Sequence, residues 1–345
     1  MWGLVSLQSK TRHLFRLTDS TGIIQHGLYG LPDLKTGYTL DDNARALTVS
    51  FQLYEKSGEQ KYLELSEIYL SFLAYAQRAD GLWRNFAGYD RNFLEECGSE
   101  DSFGRAVQAL CPIAASSQGG NLVKVARKLL GRALPHVTKL SAPRSRAFAL
   151  AGLASSQPQM PQIDQLADGL VALYKSTATE GWYWFENEVT YCNGILPESL
   201  LWAWKATGKK EYLKVGLETL SHLSDNLLAG DHLQLVGNRG WWRWGSEIPE
   251  FDQQPIDAYH MAQAHLAAWR VTGEREHQIQ AQHCYRWFEG ENNLDLSLID
   301  PETGGIYDGL TPSGVNCNQG AESVLAYLLT DLALEKTEQL SKKAG

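Results

Sequence analysis

The sequence predicts an all-α fold, an (α/α)6 barrel of six inner and six outer helices in a single domain over residues 1–345. Three observations predict it. Most of the chain falls into twelve helical segments, the segments alternate between two kinds, and the connections alternate between long and short.

The segments are 3–16, 42–57, 60–79, 101–117, 120–134, 144–156, 161–178, 196–207, 210–228, 255–272, 275–290 and 319–336. The first, 3–16, is read as an outer helix that closes the ring beside the last. Segment 42–57 carries charge only near its ends: after Arg45 the next charge is Glu55. Segment 60–79 is amphipathic, with Tyr62, Leu65, Tyr69, Phe72, Leu73 and Ala76 on one face and Lys61, Glu64, Glu67 and Arg78 off it. The alternation then repeats. The body of 101–117 is uncharged from Arg105 on to Lys124, that of 144–156 from Arg146 to Asp164, and that of 196–207 from Glu198 to Lys205. The same holds for 255–272, from Asp257 to Arg270, and for 319–336, from Glu322 to Asp331. A helix apolar on all sides is buried on all sides, and one with a single apolar stripe has a wet face. Inner starts near 42, 101, 144, 198, 257 and 322 are spaced by 59, 43, 54, 59 and 65 residues. That irregularity favours a closed ring over an open array of near-identical repeats.

Because inner and outer helices alternate, all six inner N-termini share one end. The loops reaching that end are long: 80–100, 179–195, 229–254 and 291–318. The opposite turns are short, as at Ser57-Gly58-Glu59 and Thr207-Gly208-Lys209. Long loops on a rigid scaffold are where sites sit. Short strands are expected in them at 82–86, 182–186 and 232–236.

Composition narrows the function. The chain is 43% hydrophobic and 21% charged, with a formal net charge of −9, so phosphate backbones gain no electrostatic hold and nucleic acid is not an expected partner. No run of 18 apolar residues exists, so no membrane span is expected. The first sixteen residues lack an apolar signal core. Five scattered cysteines without a CxxC pair fit a reduced, cytoplasmic setting. Of eleven tryptophans, Trp2, Trp202, Trp204, Trp269 and Trp287 lie in helices. Trp83, Trp182, Trp184, Trp241, Trp242 and Trp244 lie in Gly-rich connections, where they are expected to form a stacking surface.

The inner starts carry the chemistry: Thr39-Leu40-Asp41-Asp42-Asn43-Ala44-Arg45, Ser99-Glu100-Asp101-Ser102-Phe103-Gly104-Arg105, Pro143-Arg144-Ser145-Arg146, Asn193-Gly194-Ile195-Leu196-Pro197-Glu198, Asp252-Gln253-Gln254-Pro255-Ile256-Asp257-Ala258-Tyr259 and Asn316-Cys317-Asn318-Gln319-Gly320-Ala321-Glu322. Acids at helix starts are ordinary caps, and Thr39 and Ser99 head capping patterns. Capping needs one short side chain per helix, however, not Asp41 beside Asp42 or Glu100 beside Asp101. Carboxylates, amides, arginines and tryptophans in one cup describe a carbohydrate site. Glycosidic cleavage needs two carboxylates, one to protonate the leaving oxygen and one to activate water or attack.

Asp101 is the expected general acid, its pKa raised by Glu100. Glu198, Asp257 and Asp42 are candidate bases, with Glu322 and Asp308 behind them. Asp41, Arg45, Arg105, Arg144 and Arg146 would orient carboxylates or substrate oxygens. Tyr38, Tyr89, Asp90, Arg91, Asn193, Gln253, Gln254, Tyr259 and Asn318 could line the cup, while Trp83, Trp184, Trp242 and Trp244 would stack sugar rings. Arg91 could equally pair with Glu95 or Glu96. No GxSxG, P-loop, HExxH or Rossmann fingerprint occurs, and no cofactor or metal is expected. His260 and His265, five apart, do not share a helical face. His26 is read as a polar loop residue, and His136, His222 and His277 as surface residues. Cys192 and Cys317 lie near the cup without an evident histidine partner.

The five acid-bearing starts, from Gly37-Tyr38-Thr39-Leu40-Asp41-Asp42-Asn43-Ala44-Arg45 to Asn318-Gln319-Gly320-Ala321-Glu322-Ser323, resemble a poorly characterised bacterial family within the six-hairpin glycosidase superfamily. Some of its members are similar to regions found beside glycosyltransferase domains. The resemblance spans about Gly22 to Leu329 and implies the barrel. It brings no settled catalytic assignment. The expected function is therefore a glycoside hydrolase acting on an oligosaccharide. A sugar epimerase or isomerase, a phosphorylase or lyase, and a non-catalytic carbohydrate-binding protein are the alternatives.

Overall fold

The computed structural model describes residues 7–344 except Ala229 and Asp231, with side chains to Ser341. All twelve helices form: α1 (Leu7–Leu17), α2 (Leu40–Ser57), α3 (Gln60–Ala76), α4 (Glu100–Ala115), α5 (Asn121–Val137), α6 (Pro143–Ser156), α7 (Gln162–Thr177), α8 (Ile195–Thr207), α9 (Lys210–Leu227), α10 (Pro255–Thr272), α11 (Arg275–Glu289) and α12 (Ala321–Ala344). Trp2 and the predicted helical residues 3–6 lie outside the described residues.

The even-numbered helices pack in a ring, α2 on α4, α4 on α6, α6 on α8, α8 on α10 and α10 on α12. Contact of α12 with α2 closes it. Each odd-numbered helix from α3 to α11 backs the inner helix before it, and α1 backs α12. The fold is an (α/α)6 barrel. Small residues let its inner wall close tightly. A Cβ on Gly104 of α4 would stand 2.6 Å from the Ser145 oxygen of α6, and one on Gly152 of α6 2.7 Å from Cα of Gln108. The alternation follows burial: the body of α6, from Ala147 to Ala154, is buried throughout, whereas α11 buries only Ala281, Cys284, Trp287 and Phe288.

Short inner-to-outer turns end on left-handed glycines, Gly58 at φ 70° and Gly208 at φ 75°, a conformation costly for any residue with a Cβ. At the other end, four two-stranded ribbons decorate the long loops. They pair β1 (Gly27–Leu28) with β2 (Leu31–Pro32), β3 (Tyr38–Thr39) with β4 (Phe86–Ala87), β5 (Glu188–Val189) with β6 (Trp242–Arg243), and β7 (Leu310–Thr311) with β8 (Gly314–Val315). The strands expected at 82–86 and 182–186 shrink to single bridges at Trp83 and Trp182, apart from Phe86. Segment 232–236 forms no strand. Leu233, Leu235 and Val236 are all buried there, so its apolar residues plug the wall rather than alternate across a pleat. Helix 60–79 stops at Ala76, where Gln77 turns extended. None of the described helices is long and apolar enough to cross a membrane.

Candidate active site

Capping falls to Thr39 and Ser99 and to two of the acids, Glu100 and Asp308. Thr39 accepts the Asp42 N–H at 3.1 Å and Ser99 the Ser102 N–H at 3.1 Å, as their spacing predicted. Glu100 turns away from Asp101 and accepts the N–H groups of Ser141 and Ala142, closing the start of α6. Burial would raise the Glu100 carboxyl, but those backbone bonds outweigh it and hold it below its usual range. Asp308 caps α12 through the Gly320 N–H and the Ser323 hydroxyl. Asp41, Asp42, Asp101 and Asp257 are thereby left for other work.

These four acids meet at the mouth of the barrel with three arginines. Arg45 holds Asp42 of α2 and Glu322 of α12, each at 2.7 Å. Arg105 of α4 sits 3.5 Å from Asp41, donates to Cys192 Sγ at 3.2 Å and lies over the Phe148 ring. The Cys192 N–H donates at 2.5 Å to Asp257 of α10, whose second oxygen has no partner. Asp41, Arg105, Cys192 and Asp257 thus form one connected chain. Asp101 accepts hydroxyl bonds from Ser145 and Tyr191, each at 2.5 Å. Arg144 pairs with Glu186 at 2.6 Å, bonds Asn193 and lies over the Tyr191 ring. Glu186, Tyr191 and Asn85, which donates to Asp41, carry no sequence signal, because only loop packing brings them here.

Burial dominates the electrostatics. It pushes Asp257 up to about 7 against the pull of the Cys192 N–H, and Asp42 up to about 6 against Arg45. Asp41 is raised by the same cause despite Arg105 and Arg45. A buried carboxyl whose pKa approaches neutrality is a usable proton donor. Glu322, whose side chain is 42% exposed, and Asp41, 24% exposed, face solvent at the mouth.

Glu198 does not join them. Behind Arg45 and Arg105 lies a central cavity of about 460 Å³, lined by Glu198, Trp202, Tyr259, His260 and Arg270 among others. Glu198 accepts from the Trp202 indole at 3.3 Å, and burial pushes it up to about 7. His260 faces the same space with both ring nitrogens unpartnered, and burial holds its pKa well below the usual histidine value. His265 points the opposite way, to Ser224 of α9 and His277 of α11. Among the described residues no group of three or more His, Cys, Asp or Glu side chains is placed to hold a metal.

Several expected cup residues lie elsewhere. Trp83 and Trp184 are core residues, 2% and 0% exposed, with the Trp83 indole donating to the Leu73 carbonyl. Trp242 is buried too, stacked on His222, while Trp244 is half exposed. The stacking surface is thus reduced to Trp244 and the half-buried Trp241, which lies beside the Tyr191 ring, because the other loop indoles fill the space between long loops and outer helices. His222 is accordingly interior rather than on the surface, and His277 is half-buried against His265. Gln253 is fully buried, bonded to Trp287, Asn293 and the Glu250 carbonyl. Asn193 ties Thr190 to Arg144. Arg146 points outward, to the Leu140 carbonyl and Gly169 of α7. Tyr38 is buried and donates to Asp19. Asp90 closes an exposed turn with Asn92, and Arg91 makes no ion pair with Glu95 or Glu96. Tyr89 stacks on Tyr38 outside the mouth. Gln254 is the residue before α10, and Asn318 accepts the Tyr29 N–H. Cys317 is exposed on its loop, as is His26.

No family model and no curated protein matches the chain. Solved structures do. A sugar epimerase from a ruminal bacterium superposes with a TM-score of 0.74 at 15% identity, covering 96% of this chain and 97% of that one. Cellobiose 2-epimerase from Bacillus thermoamylovorans B4167 gives 0.71 at 12%, covering 96% and 98%. A GH76 α-mannanase from Bacteroides thetaiotaomicron gives 0.65 at 13%, covering 96% and 95%. At these identities the likeness is one of fold.

Proposed function

We propose that the chain is a carbohydrate-active enzyme, a glycoside hydrolase that cleaves an oligosaccharide at the mouth of the barrel. One observation carries the reading: two carboxyls from different inner helices, Asp41 half-buried and Asp257 buried, are joined through Arg105 and Cys192, and both are pushed above the usual range. Asp257 holds a proton near neutrality and gives it to the leaving glycosidic oxygen. Asp41, steadied by Asn85 and Arg105, takes a proton from the attacking water. Asp101 is the acceptor of two hydroxyl bonds rather than a free acid, so it positions Tyr191 beside Arg144. Water adds to the anomeric carbon as its bond to the leaving oxygen breaks, and the proton that Asp41 takes from the water balances the one given by Asp257.

The mouth arginines are each engaged by a carboxylate, which favours hydrolysis over phosphorolysis. A second reading, epimerisation or isomerisation of a reducing sugar, draws on the unpartnered, neutral His260 as a base. Barrels of this shape support both chemistries. Incubation with α- and β-linked gluco- and manno-oligosaccharides, with and without phosphate, followed by NMR, decides. Phosphate-independent release of a shorter sugar is the expected result. Interconversion of the reducing end without cleavage would replace it with the second reading. Line broadening without turnover would leave a binding protein.

A further inference from the structure

The mouth does not account for the central cavity. None of the mouth acids lines it, and its wall runs from Arg45 and Arg105 to Lys205 and Arg270, in the last turns of α8 and α10, and to Lys336 and Leu340 in the C-terminal half of α12. Its open end is therefore the short-turn end of the barrel, where Lys205, Ser155 and Leu340 are exposed. At about 460 Å³ it falls in the range of about 300–1,000 Å³ usual for small-molecule sites.

Its charge is one-sided. Glu198 is the sole acid among the residues lining it, against Arg45, Arg105, Lys205, Arg270 and Lys336. Arg45 and Arg105 are neutralised from the mouth side. Arg270, Lys205 and Lys336 form no ion pair among the described residues. Cations at helix C-termini complement the macrodipole, but that effect does not require Arg270 to be half-buried and turned over an indole. Arg270 lies 5.6 Å and Lys205 5.2 Å from the Trp202 ring. Deeper in, His260 leaves both ring nitrogens without a partner, and the buried Nε of Arg45 has none either. Unpartnered buried donors are costly unless a ligand or water meets them. Burial lowers the Arg270 pKa, and Glu198 opposes that only in part, so the site gains by receiving a negative charge.

We propose that the central cavity is a second ligand site, entered from the short-turn end, for a monosaccharide-sized anion carrying a phosphate or carboxylate. Arg270 and Lys205 hold the anionic group, Trp202 covers a sugar face, and His260 bonds a hydroxyl at the bottom. The site opens away from the mouth and shares with it only Arg45 and Arg105, so its ligand binding is tested independently of the hydrolase reading.

Calorimetric titration of the full chain, and of its Asp257→Asn variant, with inorganic phosphate, glucose 6-phosphate, glucuronate and glucose tests this. Saturable binding of glucose 6-phosphate or glucuronate is expected in both proteins, weakened at least tenfold in Arg270→Gln and in Lys205→Gln. The stronger of the two sugar anions identifies the group the cavity prefers. Two substitutions at different helices keep the test open if one fails to fold, which circular dichroism reports. Equal binding of glucose, unchanged affinity in both cavity variants, or no binding of any anion at millimolar concentration would overturn the proposal. Oligosaccharide turnover is measured separately, so loss of one reading does not imply loss of the other.

Discussion

Asp257 shows how a single residue acquires chemistry from its surroundings. In the sequence it is an acid three residues into a helix after a proline, and an ordinary first-turn residue. In the barrel one oxygen takes the Cys192 N–H, the other is left bare, and burial carries the group to about 7. Asp257→Asn keeps the Cys192 bond and removes the proton. Turnover of unactivated oligosaccharides is expected to fall by about 10²–10⁴-fold. Nitrophenyl glycosides, whose leaving group needs no proton, should be hydrolysed with a smaller loss. Equal loss on both substrates would remove Asp257 from the donor role. The pH–rate profile follows with its sign. The donor must be protonated, so activity falls as pH rises past about 7. The base Asp41 must be ionised, so activity also falls on the acid side, at a pH above the usual carboxylate range because burial raises Asp41. Asp257→Asn should abolish the alkaline limb on nitrophenyl substrates.

At the scale of elements, the mouth depends on helix starts being closed by residues outside it. Glu100 closes α6 and so fixes Arg144 and Ser145. Glu100→Ala is expected to cost ~1 kcal/mol, a melting-temperature drop of about 1–2 °C, through the lost cap. KM should rise more than kcat falls, as Arg144 loosens; an unchanged melting temperature would deny the capping role. Gly194 shows the tolerance between neighbours. A Cβ there would stand 2.1 Å from the His260 carbonyl oxygen, so α8 and α10 cannot both keep their places. Gly194→Ala is expected to cost about 1–3 kcal/mol by overpacking, read by denaturant unfolding.

For the whole molecule, burial of titratable groups inside a closed ring sets opposing pH terms. Asp257 stands at about 7 in the fold against about 4 unfolded. Its folded value is raised, so its contribution is fully present below pH ~4 and is lost as pH rises to about 7. His222, held at about 4 by burial between Trp182 and Trp242, acts the other way. Its contribution is present above pH ~6.5 and is lost as pH falls toward 4. Asp257→Asn should therefore raise the melting temperature increasingly from pH 4 to pH 7. His222→Phe, which keeps the ring stacked, should raise it increasingly from pH 6.5 down to pH 4. Parallel shifts at all pH values would refute both assignments.

What the sequence by itself determined is the ring. Helix number, order, inner or outer place and the end that carries the long loops all follow from local periodicity and charge spacing, since a helix's burial is written along its own length. It also marked Asp41, Asp42, Arg45, Arg105 and Arg144 as neighbours, because parallel inner helices bring equivalent first turns together. The tertiary structure decided what spacing cannot carry. It turned Glu100 and Asp308 into caps, buried Trp83 and Trp184, sent Arg146 outward and left Glu198 below the mouth. Those outcomes depend on which loop or neighbouring helix fills the space beside each side chain. That is a property of contacts between residues as far apart as Asp101 and Tyr191 or Arg45 and Glu322, and no local pattern records it.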